Sequence, residues 1–288
     1  MFLIFVKLCI LQLVAAYSRT RARANLVMKL SGAILWDVDG TIANSYMLGY
    51  TSTLTVLKNN GIKLITEDEF HEGTRLTTPR RFAWHATGDP DHIIGLGLGE
   101  QFDDLYVKLV SHETTPLYAG MKELLLKLSK CEYIALGALS NACGAYVRAV
   151  INANDLEAIF KLQYGADDVP HGKPDPAGLL QCSKELNIHP AKCIYIGDSP
   201  TDGEAARRAG MRGVGVTWGS HSLETLSSSF DTMAKSIEEL EVILDDWIEK
   251  NHVELAREST VRRVSWDSSV INNEGMNKLR TDNEKWIP

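Results

Sequence analysis

Two aspartates two residues apart, Asp37 and Asp39, followed by Gly40 and Thr41, are the residues of this 288-residue chain best placed to do chemistry. They come straight after the apolar run Ala33-Ile34-Leu35-Trp36, which reads as a buried strand whose end emerges into solvent. Side chains alternate along a strand, so residues two apart lean to one side, and Gly40 lets the chain turn there. Carboxylates so placed can hold a hard divalent cation, and one of them can attack an electrophile. An acidic turn closing a strand would look the same, so the assignment needs further polar groups at the same place.

Those groups follow, each positioned by an element of its own. Tyr133 to Leu139 reads as a second strand, ending in Ser140-Asn141. Gly172-Lys173-Pro174-Asp175-Pro176 reads as a loop feeding a helix that Asp175 can cap and Pro176 can begin. Cys193 to Ile196 is a third buried run, ending in Gly197-Asp198-Ser199-Pro200-Thr201-Asp202, where Ser199 and Pro200 look like a helix cap and first residue. Each polar cluster falls just past a strand or at the head of a helix. In open parallel sheets that edge is where ligands bind.

With these motifs in register, the chain resembles the haloacid dehalogenase-like hydrolase superfamily, in its phosphatase branch, over roughly residues 32–250. The four signatures are the DxDGT run at Asp37–Thr41, Ser140-Asn141, Lys173, and the GDSxxD run at Gly197–Asp202. The resemblance implies a doubly wound α/β core with a mostly parallel sheet, a helical cap inserted after the first strand, and Mg²⁺ as cofactor. Asp37 would attack phosphorus and carry an aspartyl-phosphate; Asp39 would act as general acid and then as general base. Lys173 would neutralise phosphate charge and hold Asp37 ionised, and Ser140, helped by Asn141, would bind a phosphate oxygen. Asp198 would complete the metal site with a carboxylate oxygen of Asp37 and the backbone carbonyl of Asp39. Asp202 would steady a metal-bound water or Lys173.

In relatives that displace halide or cleave phosphonates, the position of Asp39 is not aspartate, so its presence implies a phosphate ester. Phosphoglycolate-phosphatase-like enzymes are the nearest resemblance by motif and cap type. A phosphomutase, or a sugar-phosphate or nucleotide phosphatase, would share every core residue and differ in the cap. A non-catalytic binding protein would have no need of either Asp37 or Asp39.

Composition bounds the rest. With 44% hydrophobic residues the chain can bury a sizeable core, and its net charge of −7 argues against nucleic acid as a partner. A small phosphorylated metabolite remains compatible with that charge, because a lysine, a metal and helix N-termini set the local field. The five cysteines show no metal-ligand spacing, and Cys143, close behind Ser140-Asn141, is a candidate for oxidation that would impair activity.

The expected organisation is a leader over residues 1–30, a core over 31–45 and 116–251, a helical cap over 46–115, and a polar, flexible tail over 252–288. Residues 1–36 hold no Asp or Glu but do hold Lys7, Arg19, Arg21, Arg23 and Lys29 behind and within a short apolar run. That pattern favours a cleaved bipartite plastid signal, with a mitochondrial presequence, secretion, or an internal start at Met28 as alternatives. The apolar run is too short, and too interrupted by Lys7, for a stable membrane span.

Within the cap, helices are expected over 45–60, from Thr66, from Thr78-Pro79, and over 101–110, with Gly95 to Gly99 as a flexible stretch. Thr77, Arg80, Arg81 and His85 are the candidates for the substrate's non-phosphate half. After the core motifs, the stripe Ile237, Leu240, Ile243, Leu244, Trp247 and Ile248 marks a closing helix.

Overall fold

The first apolar run becomes β1 (Gly32–Trp36), with every residue buried, and the chain builds outward from it on both sides. A computed structural model describes residues 30–251; the expected tail, and the leader apart from Leu30, lie outside the described residues. Strands β2 (Ile134–Leu139), β3 (Leu162–Tyr164), β4 (Cys193–Gly197), β5 (Arg212–Val216) and β6 (Thr232–Ala234) complete one sheet in the order β3-β2-β1-β4-β5-β6. All pairings are parallel, with Trp36 level with Ala138 on one side and Ile196 on the other.

Both faces of this sheet are covered, which is why its central strands read as continuous apolar runs. Ile34, Trp36, Leu136, Ala138, Ile194 and Ile196 enter one core; Ala33, Leu35, Ala135, Leu139, Cys193 and Tyr195 enter the other. The period of two is there, but each face is buried, so no polar alternation announces it.

Helices α1 (Tyr46–Asn59), α2 (Glu67–Gly73), α3 (Thr78–Thr87) and α4 (Ile94–Leu109) form an insert between β1 and β2. The chain enters and leaves it through two linkers bonded side by side. The Asn44 amide donates to the Pro116 carbonyl at 2.8 Å, and Ala43 and Leu117 form an antiparallel bridge. Thr66 and Glu69 close a capping box at the start of α2.

The glycine-rich stretch expected to be flexible is instead helix: α4 begins at Ile94, seven residues ahead of Gln101. A β-carbon on Gly95 would sit 2.1 Å from the Pro79 carbonyl oxygen, and one on Gly99 would sit 3.2 Å from Pro79 Cα. These glycines, four apart, let α3 lie directly against α4.

The core continues with α5 (Met121–Leu128), α6 (Gly144–Ala153), α7 (Ala177–Leu186), α8 (Pro200–Ala209) and a short α9 (Leu223–Leu226). A closing helix, α10, is helical over 237–251 and buries Leu240, Leu244, Trp247 and Ile248. Among the described residues, no helix is long and apolar enough to cross a membrane.

Candidate active site

The sheet order places the site. Strand β1 lies between β2 and β4, where the winding reverses, and the crevice beyond such a switch point is where open sheets bind ligands. Asp37 follows β1, Ser140 follows β2 and Asp198 follows β4, so adjacent strands deliver all of them to one edge. With Asp39, Lys173 and Asp202 they line one cavity of about 280 Å³, closed from the other side by the insert.

At its floor, Lys173 is buried and pairs with Asp37 at 2.5 Å and Asp202 at 2.7 Å. Its ammonium also donates to the Tyr195 hydroxyl at 2.8 Å. Burial alone would pull this ammonium down, but Asp202 and Asp37 outweigh it and hold it above its ordinary value. The first turn of α8 supplies Asp202, whose second oxygen accepts from the Ser199 amide at 3.0 Å.

Asp198 stands apart from the lysine. One of its oxygens accepts from the Ser220 amide at 2.6 Å, and the other from the Thr41 hydroxyl at 3.5 Å. Gly40, at φ +76°, packs so close that a β-carbon would fall 2.2 Å from that carboxylate. Burial, reinforced by Asp202, pushes the Asp198 carboxyl up to about 7, and burial pushes Asp37 well above its ordinary value against the pull of Lys173. One ammonium is therefore too little charge for the site.

Oxygen atoms of Asp37, Asp198 and Asp202 lie within 4.8 Å of one another, so a hard cation fits the donor set. Both oxygens of Asp202 are already taken, by Lys173 and by Ser199, which leaves Asp37 and Asp198 as the available carboxylates. The Asp39 side chain turns elsewhere: it accepts from the hydroxyls of Ser45, Tyr146, Tyr106 and Ser140.

The remaining expected residues divide. Asn141 lines the cavity, and both ends of its amide bind the backbone of Lys173, at 2.8 and 3.0 Å, so it holds the lysine's loop against the end of β2. Of the insert residues, Arg81 lines the catalytic cavity. Thr77 and Arg80 line a second cavity of about 700 Å³, and Arg80 pairs with Asp91 at 3.0 Å on the surface. His85 packs under α2, its Nε2 2.7 Å from where a β-carbon on Gly73 would be, and reaches neither cavity. Burial pushes the Cys143 thiol up to about 12, so it holds its proton and lacks the thiolate that oxidation requires.

Ser45, Tyr106, Tyr146 and Tyr195 also reach the site, and nothing in the sequence marks them. Each looks like an ordinary helix or strand residue, and only the fold turns their hydroxyls toward the aspartates and Lys173.

The fold and this site define a class. A sequence model of the haloacid dehalogenase-like hydrolase family matches residues 34–216, and the chain belongs to that family. Within it the chain is a phosphatase, similar to phosphoglycolate phosphatases. That of Nitrosococcus oceani is 26% identical over 226 residues, covering 76% of this chain and 98% of the relative. That of Escherichia coli is 32% identical over 138 residues, covering 48% of this chain and 54% of the relative. A solved haloacid dehalogenase-like hydrolase from Bacteroides fragilis superposes with a TM-score of 0.66 at 26% identity, covering 73% of this chain and 99% of that one.

Proposed function

We propose that this phosphatase hydrolyses, with Mg²⁺, the phosphate monoester of a small metabolite that carries a second anionic group. The observation that carries the reading is a buried guanidinium facing the same cavity as the aspartates. Arg81 is 9% exposed, its Nε and Nη2 have no hydrogen-bond partner, and Phe70, Phe82 and Phe102 surround it at 4.6 to 5.5 Å. Among the described residues it has no ion-pair partner. Asp103 and Asp39 support its charge from beyond ion-pair distance, and its unpartnered N–H groups are left for an anion that enters the cavity. Phosphoglycolate, named by the relatives, carries a carboxylate beside its phosphate and meets that requirement.

The chemistry follows from the residues. An Asp37 carboxylate oxygen forms a bond to phosphorus as the ester oxygen leaves, taking a proton from Asp39. Asp39 then removes a proton from water as that water attacks the phosphoaspartate, releasing phosphate and restoring Asp37. Lys173 and the Ser140 hydroxyl balance charge on the non-bridging oxygens. Asp37 and Asp198 would hold the Mg²⁺, which supplies the positive charge that one ammonium cannot. The insert acts as a cap that excludes water and selects the leaving group.

The test is a panel of phosphorylated metabolites, with 2-phosphoglycolate compared against ethyl phosphate, which lacks the carboxylate. Asp37→Asn should lower activity on every accepted substrate by more than roughly a thousandfold while the circular dichroism spectrum is kept. Arg81→Ala should raise KM for 2-phosphoglycolate roughly 10- to 100-fold and leave ethyl phosphate nearly unchanged. Equal turnover of anionic and neutral-tailed esters by the wild type would remove the second-anion assignment. Interconversion of sugar phosphates without phosphate release would make the enzyme a mutase.

A further inference from the structure

The Asp39 carboxylate is held by more hydroxyl groups than a solvent-facing acid would need. Its Oδ1 accepts from Ser45 at 2.5 Å, from Tyr146 at 2.6 Å and from Tyr106 at 3.2 Å, while Oδ2 has only Ser140, at 3.1 Å. The two tyrosine rings stack with centroids 4.0 Å apart and planes 12° from parallel, and the hydroxyl of Tyr106 also reaches that of Tyr146 at 3.0 Å.

The donors come from different parts of the fold. Tyr146 is fully buried on α6 of the core, and Tyr106 is 5% exposed on α4 of the insert. Burial, reinforced by the nearby Asp39, pushes both phenols well above their ordinary value, so each keeps its proton and remains a donor. A buried phenol hydroxyl needs a partner, and here both converge on one oxygen of one carboxylate.

We propose that Tyr146, backed by Tyr106, is the positioning residue of the acid/base: the pair pins Asp39 Oδ1 and so makes Oδ2 the oxygen that carries the transferred proton. A proton on Oδ1 would face the hydroxyl hydrogens of Ser45 and Tyr146, and that of Tyr106, which is shared with the Tyr146 oxygen. A proton on Oδ2 faces one, and Ser140 gives that one up when it turns to a phosphate oxygen. Because Tyr106 belongs to the insert, the clamp is complete only while the insert is seated on the core. The inference rests on the acid/base role given to Asp39 above.

Leaving-group dependence tests it. Expulsion of an alkoxide needs a proton from the acid, whereas p-nitrophenolate leaves without one. The ratio kcat/KM covers steps up to leaving-group release, so later hydrolysis of the phosphoaspartate does not enter it. With 2-phosphoglycolate, or the alkyl phosphate of the panel turned over fastest, Tyr146→Phe should lower kcat/KM roughly 10- to 100-fold. With p-nitrophenyl phosphate the fall should be less than about threefold, and Tyr106→Phe should show the same contrast more weakly.

Asp39→Asn is the control and should show the largest contrast. If it shows none, the acid/base reading of Asp39 fails, and the inference with it. If Asp39→Asn shows the contrast but the tyrosine variants lose activity equally on both esters, or lose none, the tyrosines only pack and the positioning role is wrong. Should Tyr146→Phe fail to fold, Tyr106→Phe carries the same comparison.

Discussion

Lys173 commits its three protons inside the protein, to Asp37, Asp202 and Tyr195. The third bond is the informative one. The Tyr195 hydroxyl passes the contact on by donating to the Leu139 carbonyl at 2.9 Å, so a residue of β4 fixes the ammonium against the end of β2. Tyr195→Phe keeps the ring, which fills the core, and removes the hydroxyl that bridges Lys173 to the Leu139 carbonyl. Lys173 and the Leu139 carbonyl keep their own 3.4 Å contact, so the change is expected to cost about 1–2 kcal/mol of stability, seen as a lower urea midpoint at unchanged m-value. It should also lower kcat several-fold, because the ammonium gains freedom to turn from Asp37. A variant as stable as the wild type would show that water replaces the hydroxyl. Nothing in the sequence marks this tyrosine: in Cys193-Ile194-Tyr195-Ile196 it is one more bulky residue of a buried strand, and its role depends on a lysine 22 residues away.

At the scale of elements, the pairing of α3 with α4 decides where Arg81 sits. Gly95 and Gly99 admit Pro79 and Ala83 of α3 to van der Waals contact, and Arg81 lies between those two residues in sequence. Gly95→Ala is expected to push the helices apart, at a cost of about 1–3 kcal/mol from overpacking, and to raise KM through the displaced guanidinium. Gly97→Ala is its counterpart, since nothing lies within 4 Å of that position and a helix interior favours alanine; it should gain about 0.5–1 kcal/mol. Thermal unfolding of the two variants side by side checks both signs. The same run shows where sequence reading stops. Three glycines in five residues look like a loop by propensity, and only the neighbouring helix, out of sight in the sequence, makes helix the better solution. Strands β3 and β6 leave no mark in the sequence for a related reason: with three residues each, they are too short to show a period. The long stripe of α10 and the capped starts of α2 and α8 were legible because their signals are local.

For the whole molecule, what was legible is the convergence: polar residues that follow apolar runs must share the sheet edge if the runs are parallel strands, whatever the distance between them along the chain. What was not legible is the charge balance that results, because it depends on how deeply the edge is buried. Four aspartates, Asp37, Asp39, Asp198 and Asp202, share the cavity with Lys173 and Arg81, and burial, reinforced by Asp202, pushes the Asp198 carboxyl up to about 7. Its folded-state value lies above the ordinary one, so the metal-free protein is more stable with Asp198 protonated, and that advantage is lost as the pH rises through 7. In EDTA the wild type should thus lose stability relative to Asp198→Asn between pH 6 and pH 8, a comparison that cancels the opposite contribution of the half-buried His85 and His221. Mg²⁺ held by Asp37 and Asp198 as proposed would bind only the folded site, so at a hundred times its dissociation constant it should add about 2.7 kcal/mol, and at a fixed concentration it should add more at pH 8, where Asp198 is free of its proton. Asp198→Asn removes a buried charge and a ligand together. It should be more stable than the wild type in EDTA at pH 8, and Mg²⁺ should barely shift it. Denaturant titrations of both proteins at the two pH values decide the matter: an undiminished Mg²⁺ response in Asp198→Asn would place the cation away from this sheet edge, and a metal-free wild type that loses no stability relative to Asp198→Asn between pH 6 and pH 8 would remove the charge strain assigned to Asp198.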